Sequence, residues 1–153
     1  MTLEKTPREE RRVITLEELV ARVEELRESI EVLDSAINTY LSQYRELQLS
    51  LETLKNLGET PGEGYIIIDR LSSIMIPAKI LEKWESNLLV NLGLGYYLKT
   101  NREKAIEILT KRIQVLEGEI NQLQSRRRAM AEEYLGLQRI LNQVIQSQQQ
   151  KTR

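Results

Sequence analysis

The chain has 153 residues, of which 29% are charged and only 5% aromatic, and its formal net charge is −1. It contains no Cys and no His, which excludes disulfides, thiolate or imidazole metal sites and the usual catalytic triads. So small a net charge supplies no global field toward nucleic acid or anionic lipid.

No run approaches the roughly eighteen apolar residues of a membrane span. Residues 1–15 carry Glu and Arg where a signal peptide needs an apolar core. The cytoplasm is therefore the expected location, with neither a membrane nor a nucleic acid as partner.

Helix one has two candidate starts. Thr6-Pro7-Arg8-Glu9 and Thr15-Leu16-Glu17-Glu18 both have the capping-box form, in which a hydroxyl accepts from a backbone amide and a Glu three residues on reaches back. Pro7 suits a first helical position, so a helix over residues 7–57 is expected. Within it Leu16, Leu19, Val23, Leu26, Ile30, Leu33, Ile37, Tyr40, Tyr44, Leu47, Leu51 and Leu54 fall three and four apart, as the a and d positions of a coiled-coil seam do. Leu57-Gly58 is expected to stop the helix through a left-handed glycine cap, and Pro61 prevents continuation.

Residues 58–100 change period. The short runs Tyr65-Ile66-Ile67-Ile68, Ile74-Met75-Ile76, Ile80-Leu81, Leu88-Leu89-Val90 and Tyr96-Tyr97-Leu98, with turn residues at Ser72-Ser73 and Gly93-Leu94-Gly95, predict two consecutive β-hairpins. Pro77 lacks a backbone donor and belongs at an edge or bend. Apolar residues on successive positions face both sides of a strand, and so small a sheet cannot bury them by itself. The segment is therefore expected to be an assembly platform covered by partners, through Ile66, Ile67, Ile68, Ile74, Ile76, Leu88, Leu89, Val90, Gly93, Gly95, Tyr96, Tyr97 and Leu98. Trp84, between the hairpins, is expected to anchor the packing there.

Helix two is expected over residues 101–149, opening near Thr100 and Asn101, where Thr100 and Glu103 form a third candidate capping box, and fraying in the polar tail. Its seam runs Ile106, Leu109, Ile113, Leu116, Ile120, Leu123, Arg127, Met130, Tyr134, Leu137, Leu141, Val144. Both seams span the same number of residues, so folding the chain back pairs Leu54 with Ile106 and Leu16 with Val144. Each arm would be roughly 60 Å long. Arg127, the one charged seam residue, is expected opposite Leu33, with Asp34 or Glu31 as partner and a register-fixing role. Arg126-Arg127-Arg128 winds around the helix beside Glu132 and Glu133, which makes it a solvated face. Gly118 and Gly136 are expected at exposed helical positions.

The order helix, two hairpins, helix, closed by Val90-Asn91-Leu92-Gly93-Leu94-Gly95-Tyr96-Tyr97-Leu98-Lys99-Thr100, resembles the alpha subunit of prefoldin over about residues 10–148. The beta-type subunit of that family carries one hairpin. Asp69-Arg70-Leu71-Ser72-Ser73 departs from the Gly-rich first turn usual in the family. The resemblance implies a single prefoldin-like domain over residues 1–153, mainly α with a small β segment. It also implies an ATP-independent, cofactor-free holdase hexamer of two alpha and four beta subunits. Such a hexamer binds unfolded polypeptides at the coiled-coil tips and passes them to a chaperonin.

By register, the free tip holds Val13, Ile14, Leu16, Leu19, Val20, Leu137, Ile140, Leu141, Val144 and Ile145. Off-seam apolar residues also occur mid-stem at Val32, Leu41, Leu49, Val115 and Leu135. The glycine cluster at 58–64 lacks the Gly-Lys-Ser/Thr of a phosphate loop, and the carboxylates follow the heptad, so no enzyme is expected. The alternative function is a structural coiled-coil adaptor between folded partners.

Overall fold

A computed structural model describes residues 14–58, 62–69 and 71–151. In chain order the elements are α1 (Leu16–Asn56), β1 (Glu63–Ile67), β2 (Met75–Lys79), a short 3-10 turn (Trp84–Ser86), β3 (Leu88–Gly93), β4 (Tyr96–Thr100) and α2 (Arg102–Lys151). They form two compact units. One combines residues up to Ile37 with those from Gln122 onward, and the other is Asn38–Asn121.

In the first unit α1 and α2 run antiparallel. Leu19, Leu26, Leu33 and Ile37 are buried on α1, and Leu123, Met130, Tyr134, Leu137, Leu141 and Val144 are half-buried on α2. The register is pinned across the seam. Arg22 donates from Nε and a terminal nitrogen to Glu133 Oε1 at 3.0 and 2.9 Å, and Arg127 forks onto both oxygens of Asp34. Asp34 is thus the partner among the two candidates. Arg127 does not sit in the core, however: its side chain and that of Asp34 both remain more than a third exposed. A guanidinium on a long stem reaches water while its methylenes cover the seam, which avoids the desolvation a core position would impose.

In the second unit the same helices continue the seam, with Leu109, Ile113 and Ile120 buried and Tyr44 donating to Glu117 at 2.7 Å. Where the chain leaves α1 and enters α2, one cluster joins the ends. The Trp84 indole N–H donates to the Gly58 carbonyl at 3.1 Å, the Arg102 guanidinium lies 5.5 Å above the Trp84 ring, and Arg102 also donates to the Lys55 carbonyl at 2.7 Å. Trp84 is therefore the expected packing anchor. Arg102 in addition satisfies a carbonyl of the last α1 turn that has no intrahelical partner.

At the helix ends one expected signal holds and others are corrected. α1 begins at Leu16, with Ile14 and Thr15 outside it; Thr15 and Glu18 form the reciprocal capping box, at 2.9 and 3.2 Å. The candidate start at Thr6 and Pro7 lies outside the described residues. At the other end Gly58 does not take the left-handed conformation, and its carbonyl serves the Trp84 indole. For α2 the cap is Asn101, whose Oδ1 accepts from the Lys104 amide at 2.9 Å, one residue beyond Thr100. The helix persists to Lys151 through the polar tail.

Each hairpin is a separate two-stranded antiparallel sheet. In the first, Ile66 faces Ile76, Ile67 faces Met75 and Tyr65 faces Pro77, so Pro77 lies within β2 of a ribbon that has only edges. Ile80 and Leu81 fall beyond that strand. In the second, Val90 faces Leu98 and Asn91 faces Tyr97, with a bulge between Asn91 and Gly93. Its tip has positive φ at Gly93 (95°), Leu94 (52°) and Gly95 (82°). A two-residue turn of that hand matches strand twist, but it costs leucine about 1–2 kcal/mol in the left-handed region.

A Cβ added at Gly118 or Gly136 meets no atom within 4 Å. Gly118→Ala and Gly136→Ala are expected to stabilise α2 by about 1 kcal/mol each. The double variant should raise the thermal unfolding midpoint by several degrees, and an unchanged midpoint in circular dichroism melts would contradict this account of the two glycines.

Candidate functional site

Two surfaces carry the expected site residues. The first lies where α1 begins and α2 ends, in the first unit. There Ile14, Leu16, Val20, Ile140 and Ile145 are exposed, Leu137, Leu141 and Val144 are half-buried in the seam, and Leu19 is fully inside it. Val13 lies outside the described residues. Exposure is not confined to this end, since Val32 and Leu135 in the same unit, and Leu49 and Val115 in the other, are also open. Val20, Ile140, Ile145, Val32, Leu135, Leu49 and Val115 sit off the a and d positions that face the partner helix, whereas Leu16 is a seam residue in the first turn of α1 and Ile14 precedes the helix.

The hairpins form the second surface. On the first, Tyr65, Ile66, Ile67, Ile68, Ile74, Met75 and Ile76 are all exposed. Alternate residues of a strand point to opposite faces, so both faces of this ribbon are apolar and wet. On the second hairpin Val90 is 9% exposed and Leu88 is half-buried. Leu89, Leu92, Tyr96, Tyr97 and, marginally, Leu98 are open. Val90 and Leu88 face the helices, and Arg112 of α2 donates to the Asn91 carbonyl at 2.6 Å, holding β3 against the stem. Contiguous exposed apolar side chains of this number mark an interaction surface. Val90 therefore belongs to the packing of this chain, whereas Leu89, next to it, faces outward.

Among the described residues, six exposed apolar side chains of the hairpin segment lie outside the expected set: Tyr65, Leu71, Met75, Leu81, Leu92 and Leu94. Leu94 had a signal in the sequence, since the residue between two glycines of a hairpin is the one presented at the tip.

The first hairpin's turn is organised by a side chain in place of glycine. Asp69 Oδ1 accepts from the amides of Leu71 (2.8 Å) and Ser73 (3.0 Å), and Oδ2 from that of Ile74 (3.0 Å). Ser72 takes the positive φ, 56°, that glycine would otherwise supply. The Ser73 amide, with those of Ile74 and Leu71, holds the Asp69 carboxyl below its ordinary range.

Because the folded value is depressed, the contribution of Asp69 is complete above the ordinary value of 3.8 and is lost as pH falls through the lower folded value. At neutral pH, Asp69→Ala should speed amide exchange at Ser73 and Ile74, with Asp69→Asn intermediate. The difference between wild type and Asp69→Ala should hold down to the ordinary value of 3.8 and close only on acidification below it. A difference that persisted in acid would show that the carboxylate does not order the turn.

Two long antiparallel helices with a pair of apolar β-hairpins between them define the class, a helical hairpin built around a β segment. A family model described as Prefoldin subunit matches residues 26–147, and the chain belongs to the prefoldin family. It is similar to prefoldin subunit alpha of Metallosphaera sedula, at 29% identity over 90% of this chain and 94% of that protein. Prefoldin subunit alpha of Nitrosopumilus maritimus is similar at 25% identity, over 88% of this chain and 90% of that one. Its two hairpins and these relatives place it with the alpha type, in a family of chaperones. The cryo-EM structure of filamentous PFD from Methanocaldococcus jannaschii overlaps at a TM-score of 0.42 and 20% identity, covering 86% of this chain and 96% of that one.

Proposed function

We propose that this chain is the alpha-type subunit of an ATP-independent holdase, a hexamer of two alpha and four beta subunits. In this reading it binds non-native polypeptide where α1 begins and α2 ends, and releases it to a chaperonin. The observation that carries the assembly half is the first hairpin, apolar on both faces and uncovered by its own helices. Partner strands supply what such a ribbon lacks, burial for its faces and hydrogen bonds for its edges. The client half is supported by Ile14, Leu16, Val20, Ile140 and Ile145, exposed apolar side chains at helix ends. Several weak apolar contacts on several subunits give avidity without sequence specificity, and a client leaves stepwise.

Light scattering of a denatured test protein diluted into buffer tests the function. Suppression of aggregation without ATP, by this chain mixed with a beta-type subunit, is the expected result. No suppression by a verified complex would favour the adaptor role, in which a single folded partner is held.

Ile67→Lys and Leu89→Lys separate assembly from folding, because both positions are exposed in the isolated chain. Helicity should be retained while the complex dissociates in size-exclusion chromatography, since an unpaired charge buried at an interface is strongly unfavourable. An intact hexamer carrying both lysines would exclude the hairpins as the platform. Val90→Lys would not make this distinction, because Val90 is buried in its own chain.

A further inference from the structure

The chain has no Cys, so its only sulfur is that of three methionines, Met1, Met75 and Met130. Met1 lies outside the described residues. Met130 is half-buried in the seam, whereas Met75, on β2, is 53% exposed. Its thioether is therefore the sulfur most open to an oxidant among the described residues.

Strand register places that sulfur on a surface where polarity matters. Met75 is paired with Ile67, and Pro77 with Tyr65. Directly paired residues of an antiparallel ribbon share a face. One face of the first hairpin thus presents Tyr65, Ile67, Met75 and Pro77 together, with the charges of Glu63 and Lys79 at its far end. Of these side chains, Met75 is the one that a mild oxidant turns from apolar to strongly polar.

We propose that Met75 is a reversible oxidation site that controls entry of this chain into its complex. As thioether, it is buried against partner strands; as sulfoxide, it keeps the chain out. The proposal rests on the assembly reading above and adds regulation to it. With hydrogen peroxide as oxidant, the sulfur lone pair takes one peroxide oxygen and the O–O bond breaks. The proton of the transferred oxygen goes to the departing hydroxide, so sulfur loses two electrons and the peroxide ends as water. A dithiol reductase reverses the step, releasing the oxygen as water while its two thiols become a disulfide. Because this chain has no Cys, that reductant is a separate protein.

The sulfoxide oxygen is a strong hydrogen-bond acceptor, and moving it from water onto an apolar interface is unfavourable unless a donor meets it. In the free chain it stays in water. Oxidation therefore acts on assembly and leaves the helices and their seam as they were.

The full chain, oxidised with hydrogen peroxide until peptide mass spectrometry shows Met75 converted and then freed of peroxide, is mixed with a beta-type subunit and its association measured. Association should weaken at least about tenfold, with helicity in circular dichroism unchanged, and methionine sulfoxide reductase should restore it. Met75→Leu should assemble equally well before and after the same treatment. Met130→Leu, a substitution of similar volume, should remain as sensitive as wild type. In the preformed complex Met75 should oxidise more slowly than in the free chain.

Undiminished association of the converted chain, a Met75→Leu chain as sensitive as wild type, or equal rates of Met75 oxidation in free and assembled chain would each overturn the proposal. An untreated chain that forms no complex with a beta-type subunit would overturn the assembly reading and this site with it. A sound complex indifferent to oxidation would overturn this site alone.

Discussion

The antiparallel apolar seam between α1 and α2 is the constraint on which everything else in this chain depends. Isolated helices gain little from propensity alone and are held by packing of one face. Here that face is narrow. It buries Leu19, Leu26, Leu33 and Ile37 in one unit and Leu109, Ile113 and Ile120 in the other. The pairs Arg22 with Glu133, Asp34 with Arg127, and Tyr44 with Glu117 link the two antiparallel helices. These polar links are exposed and individually weak. Their value lies in opposing a slip of the seam, because a shifted register would separate all of the partners.

A seam of this kind leaves the chain without a core in which to hide its β segment. The cluster of Trp84, Gly58, Arg102 and Lys55 ties the helix ends to the turn between the hairpins, and Val90 with Arg112 secures the second hairpin to the stem. The first hairpin has no equivalent burial. The difference is visible residue by residue: Val90 is inside, whereas Ile66, Ile67, Ile74 and Ile76, at least as apolar, are outside. Hydrophobicity alone does not decide burial when both faces of a ribbon are apolar and only one hairpin lies against the helices.

Local turn chemistry is handled differently at the two hairpin tips. At the first, a carboxylate gathers three backbone amides and Ser72 takes the left-handed position, so the geometry survives without glycine and becomes sensitive to acid. At the second, two glycines bracket a leucine that no local requirement explains. The first departs from the expected glycine-rich composition and still reaches a tight turn. The second follows it and presents an apolar side chain to solvent.

The sequence by itself determined the helices, the seam register, the capping box at Thr15 and the two hairpins, because each rests on local periodicity or on neighbours three or four residues apart. It also narrowed the partner of Arg127 to Asp34 or Glu31, since the seam register fixes which turn of α1 faces it. Tertiary structure alone decided that Asp34 is that partner, that Gly58 serves Trp84 as an acceptor, and that Val90 turns inward while Leu89 turns out. Those outcomes depend on where distant segments meet: a strand face chosen by the helix beneath it leaves no mark in the spacing of residues along the chain. The same limit applies to the candidate surfaces. Off-seam residues such as Val20 and Ile140 were legible as exposed from the heptad, as were Val32 and Leu135, so exposure by itself does not mark the end of the helices as a binding surface.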